Sequence, residues 1–210
     1  MERVDFQSIA PDYCQAVLKG IGGQLIKVNF KSCLYIDFAH FQPCTRLEEM
    51  NIDGTSSVKL ATLNPTINLE TFLPRLKILV DSSSSCLGQW SRIFETKRPS
   101  LIDLRTHCAH FDISGVSAFQ WSDLPTLLPN LETFDIKSAK GLTLDTICYQ
   151  ILPWMKKLTT LRLPVPGTTL LPSQEEKESA KMFQDQWRRY SPLLNLVFYQ
   201  SVPFGTCCFK

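Results

Sequence analysis

Two short segments, LIDLRTHCAH from Leu101 and LETFDIKSA from Leu131, hold the residues of this chain best suited by type to do chemistry. In the first, Asp103 and Arg105 alternate with apolar residues, and His107, Cys108 and His110 follow directly; in the second, Asp135 and Lys137 stand in the same alternation. Paired carboxylates at Asp103 and Asp135 could divide the roles of general acid and base, and a thiol beside a histidine could act as a nucleophile. Neither pattern is specific. No family signature surrounds Cys108, and Arg105 and Lys137, each two residues from a carboxylate, suit a salt-bridged surface better than proton transfer. The eight cysteines contain no C-x-x-C pair, and His40, His107 and His110 do not stand at zinc-ligand offsets. Gly20-x-Gly22-Gly23 lacks the lysine of a phosphate loop. We therefore assign no catalytic residue, no metal and no cofactor, and read the chain as a binding protein; a thiol-dependent enzyme is the weaker alternative.

What positions these residues is a frame with apolar side chains at its first, fourth and sixth places. It recurs from Leu25, Leu47, Leu76, Leu101, Leu131, Leu158 and Leu194, at separations of 22, 29, 25, 30, 27 and 36 residues. That period matches a leucine-rich repeat, in which each unit supplies one short strand and a returning helix or loop. Pro74, Pro99, Pro129 and Pro192 each precede a frame leucine by two residues, where a residue that cannot donate to a ladder holds the incoming chain extended and so suits the turn that enters a strand. The expected fold is an α/β leucine-rich-repeat solenoid: a curved parallel sheet, with short helices and loops on its convex side. Residues 1–210 form a single domain, with a capping helix at 12–23, about seven repeats over 25–202 and a tail at 203–210. Six or seven strands are expected near Val28, Met50, Ile78, Leu104, Phe134, Leu161 and Val197, and helices over 12–20, 145–152 and 174–190. Asp12 and Asp145 are the expected caps of the first two, and Ser173 with Glu176 a capping box for the third.

Strand alternation then sorts the residues. Frame positions point inward, and those between them point to the open side, which places Lys27, Asn29, Glu49, Asn51, Lys77, Asp81, Asp103, Arg105, Thr133, Asp135, Lys137, Thr160 and Arg162 on a concave face. For the third rung we prefer a frame slipped by one, so that Leu76, Ile78 and Val80 are buried together. The candidate binding residues are Lys27, Asn29, Glu49, Asn51, Asp103, Arg105, Asp135, Lys137 and Arg162. Their mixture of signs suits a protein surface more than a phosphate backbone.

Composition narrows the partner further. A net charge of +2 and a pI near 8.1 give no basic field for nucleic acid, and no apolar run approaches a membrane span. The start MERVDFQSIAPDY has neither the basic stretch nor the apolar core of a signal peptide, so a cytoplasmic or nuclear location is expected.

The rungs, with Cys33 and Thr55 at the ninth place of the first two, resemble the irregular, cysteine-containing leucine-rich repeats of F-box proteins over roughly residues 25–202. The segment WRRYSPLLNLVF is similar to the closing unit of fungal F-box proteins with degenerate repeats, a resemblance carried by Trp187, Pro192, Leu194 and Val197. Later rungs depart from the pattern at the ninth place, with Ala139, Pro166 and Val202, and nothing at the amino terminus resembles an F-box. The resemblance implies the substrate-reading half of a ubiquitin-ligase receptor, with a protein partner on the concave face and ligase subunits as further partners. A scaffold, or part of a larger array, is the alternative.

Overall fold

A computed structural model describes residues 2–33, 36–53, 58–59, 71–82, 96–106, 121–136, 142–165 and 173–199. Each rung begins with the same turn. The first leucine of each frame donates its N–H to the carbonyl three residues earlier, as Leu25 does to Gly22, Leu76 to Leu73, Leu131 to Leu128 and Leu194 to Ser191, at 3.1–3.3 Å. Pro74, Pro99, Pro129 and Pro192 therefore occupy the second position of a β-turn, where a fixed φ near −65° is already correct. The turn into each of these strands is the one that the proline spacing predicts.

The strands are β1 (Arg3–Gln7), β2 (Lys27–Lys31), β3 (Ile36–Asp37), β4 (Glu49–Asp53), β5 (Val58–Lys59), β6 (Ile78–Asp81), β7 (Asp103–Thr106), β8 (Thr133–Ile136), β9 (Thr160–Pro164) and β10 (Asn195–Tyr199). Eight of them form one open parallel sheet in the order β1-β2-β4-β6-β7-β8-β9-β10, while β3 and β5 pair separately. The helices are α1 (Pro11–Ile21), the short α2 (Leu124–Leu127) and α3 (Gln174–Tyr190), with a π-helical turn at Thr146–Ile151. The strands stand in step. Val28, Met50, Leu79, Leu104, Phe134, Leu161 and Leu196 make one straight row across the sheet, each 2 % exposed or less. A single wall of apolar side chains thus ties every rung to the next. Phe6 stacks on Phe30 at 5.0 Å, Phe41 meets Phe30 edge-on at 5.7 Å, and these rings fill the first end of the core.

Four expectations are corrected. The sheet has eight strands because Arg3–Gln7 pairs with β2, and α1 is the crossover between these two strands. Its cap is Ala10 with Pro11 opening the first turn, and Asp12 lies inside the helix. In β6 the unslipped frame holds: Leu79 and Asp81 are buried and Ile78 and Val80 face outward, so Asp81, at 2 % exposure, does not belong to the open face. The Leu73–Leu76 turn and the pairing of Met50 with Leu79 set that register, and a slip would put the whole strand out of step with its neighbours. In β10, Leu194 and Leu196 are buried, which turns Val197 and Tyr199 outward.

The cysteine thiols described in the core act as small apolar groups: burial pushes those of Cys14 and Cys44 up to about 12. A Cβ at Gly22 would lie 3.0 Å from Cys44 Sγ and 3.1 Å from Pro43 Cβ, a close approach that a side chain could share only if these buried neighbours gave by a few tenths of an ångström. At the other end, α3 begins with the expected capping box: Glu176 N–H donates to Ser173 Oγ (3.2 Å) and Ser173 N–H to Glu176 Oε2 (2.7 Å). Its stripe closes over β10, with Ala180 buried and Phe183 set against Trp187 and Phe198. The expected helix near Asp145 is the π-turn, and the oxygen accepting from Thr146 N–H belongs to Thr143. Among the described residues no helix is long and apolar enough to cross a membrane.

Candidate functional site: the open face of the sheet

The register that buries one side of each strand aligns the other side into two rows. The first runs Arg3, Lys27, Glu49, Ile78, Asp103, Thr133, Thr160, Asn195; the second runs Asp5, Asn29, Asn51, Val80, Arg105, Asp135, Arg162, Val197. Rungs supply the position and sequence supplies the chemistry, so neighbouring side chains pair across strands far apart in the chain.

Over β1, β2 and β4 the rows are polar. Asn29 donates to Asp5 and accepts from Asn51 (2.7 Å), while Arg3 donates to Asp5 at 3.1 Å and Lys27 bridges to Glu49 at 2.5 Å. The Asn29 amide, and after it Arg3, hold the Asp5 carboxyl below the usual carboxylate range. In the middle, Ile78 and Val80 of β6 present partly exposed apolar side chains.

Over β7 to β10 a second network forms. Arg105 grips Asp103 with two bonds, Nε to Oδ1 at 2.9 Å and the terminal nitrogen to Oδ2 at 2.7 Å, and stands in register with Asp135. The Asp103 carboxylate is the main reason the Arg105 guanidinium is pushed above its usual value. Asp135 accepts from the Tyr199 hydroxyl at 2.7 Å and faces Arg162 at 3.7 Å. Burial, then the Asp135 bond, raises the Tyr199 hydroxyl. Asp135 was expected exposed. It is 9 % exposed, because Tyr199 and Arg162 reach over it from β10 and β9. Asp103 pairs in register with Thr133 while Arg105 stands opposite Asp135, so each carboxylate is already held by a cation or hydroxyl of the same face.

Of the residues named from sequence, Lys27, Asn29, Glu49, Asn51, Asp103, Arg105, Asp135 and Arg162 lie together in these rows. Lys137, His107, Cys108 and His110 lie outside the described residues. Sequence reasoning missed Arg3, Asp5, Ile78, Val80 and Tyr199. Among the described residues no group of three or more His, Cys, Asp or Glu is placed to hold a metal. Compared with protein-family models, curated proteins and solved structures, the chain matches none.

Proposed function

We propose that this chain is a leucine-rich-repeat solenoid whose open sheet face is concave and binds another protein, as the substrate-reading part of an F-box-type ubiquitin-ligase receptor. The observation that carries the binding reading is the pair of outward rows, held in one register across eight strands. Their charges are closed among themselves, as Lys27–Glu49, Arg3–Asp5, Arg105–Asp103 and Arg162–Asp135. Such a face is ordered before it meets a partner, so little side-chain entropy remains to be lost on binding. Ile78 and Val80 supply an apolar centre with a polar surround, the arrangement in which binding energy concentrates. The ligase assignment rests on the resemblance carried by Trp187, Pro192, Leu194 and Val197 and on the rung pattern. Affinity capture with mass spectrometry, with and without a proteasome inhibitor, tests it. Recovery of adaptor and cullin subunits, with a further protein enriched by the inhibitor, is the expected result. One stable partner unaffected by the inhibitor would instead make the chain a scaffold.

A further inference from the structure

Away from the open face, between the crossover that leads into β8 and the one that leads into β9, lies an open groove of about 480 Å³. Among the described residues it is lined by Ser122, Pro125, Thr126, Tyr149, Gln150 and Trp154, none of them charged. Tyr149 is 74 % exposed and Trp154 69 %, so two large aromatic side chains present most of their surface to solvent in one groove. The π-turn accounts for the display. Ile147 and Ile151 are wholly buried, and Leu152 N–H reaches back to Ile147 O (3.0 Å), a widened turn that leaves Tyr149 on the solvent side. Such turns occur disproportionately at functional sites. Pro125 and Thr126 of α2 contribute the opposite side.

We propose that this groove binds a proline-rich segment of another protein in the polyproline II conformation. The described lining residues offer no counter-charge to a charged ligand. Two exposed rings beside a proline offer flat apolar surfaces on which pyrrolidine rings pack. The Tyr149 hydroxyl, the Gln150 amide and the Trp154 indole N–H have no side-chain partner among the described residues and remain free to donate. A polyproline II strand has no internal hydrogen bonds, and its prolines have no N–H, so it presents acceptors and few competing donors. A helical peptide hides its carbonyls and needs a longer apolar trough. Because polyproline II is already formed in the free ligand, a small groove can hold it with little ordering cost.

The test uses the full-length chain and a fluorescein-labelled decaproline peptide, read by fluorescence anisotropy, with a Gly/Ser decapeptide as control. Saturable binding of decaproline alone is expected, weakened by about tenfold or more in both Tyr149→Ala and Trp154→Ala. Both residues are mostly exposed, so the variants should fold, and circular dichroism verifies it. Absence of saturation up to about 1 mM peptide would overturn the proposal. So would affinity that survives both substitutions, or saturation by a neutral oligosaccharide such as maltoheptaose with none by decaproline. Each outcome is independent of what the open face binds.

Discussion

Thr133 and Phe134 are adjacent in β8 and point opposite ways, so a single peptide bond separates a face residue from a frame residue. Phe134 is 1 % exposed and Leu161 fully buried, in register with each other. Phe134→Ala or Leu161→Ala should each remove roughly 2 to 5 kcal/mol through lost transfer energy and a residual cavity. Thr133→Ala and Thr160→Ala, at partly exposed positions, should stay within about 0.5 kcal/mol, and urea titration of the four variants checks both statements. Comparable losses for Thr133 and Phe134 would mean that the strand faces are reversed. Tyr199 makes a pH-dependent claim at the same scale. Its hydroxyl is raised above the ordinary value of 10.0, chiefly by burial and then by donation to Asp135, so the folded state favours the neutral phenol. That contribution is fully present below the ordinary value and is lost as pH rises through the higher folded value. Tyr199→Phe should therefore lower the melting temperature at neutral pH, and the gap from wild type should narrow as pH is raised past about 10. A gap independent of pH would show that the hydroxyl contributes nothing through its proton.

At the scale of elements, legibility followed how local the signal was. The α3 helix was readable to its first residue because Ser173 and Glu176 stand three apart and satisfy each other, with Glu175 in the first turn and Arg188 and Arg189 in the last, complementing the helix dipole. Ser173→Ala should cost about 1 kcal/mol in thermal or urea unfolding, and a neutral result would mean that tertiary packing alone holds the helix. Asp12 and Asp145 misled because a capping residue type is common, whereas the cap depends on backbone geometry; Pro11 and Thr143 decide those two starts. The two register errors have different causes. In β6, Ile78 and Val80 are more apolar than Asp81, so hydrophobicity favoured the wrong frame. In β10 the strict spacing from Leu194 pointed to Val197, whereas a tight turn, with Leu196 N–H donating to Leu194 O, brings Leu196 inward one residue early. In both strands the entering turn and the in-step ladder set the register. Tyr199 was lost to the candidate site by the slip in β10. The first strand was missed because Met1-x-x-Val4-x-Phe6 carries the frame without a leucine. The open face was otherwise legible wherever the frame was, since alternation in a strand leaves no choice about the intervening residues.

At the scale of the whole molecule, the in-step sheet turns an irregular repeat into two continuous rows of side chains. Charges that are neutralised within a face contribute little long-range steering, so association with a protein partner should depend only weakly on ionic strength. A steep loss of affinity between about 0.05 and 0.5 M salt would point to a charged partner held elsewhere. Arg105 is the residue through which the binding proposal is most exposed to refutation, because it is half-exposed, sits beside the apolar Val80 in the ladder and anchors Asp103. The most direct measurement is the affinity of the full-length chain for the partner it captures, compared among wild type, Arg105→Glu and Val80→Lys at matched melting temperature. We expect a loss of about tenfold or more in each variant, as for a residue near the centre of an interface. Unchanged affinity in both would contradict binding through the open face of the sheet.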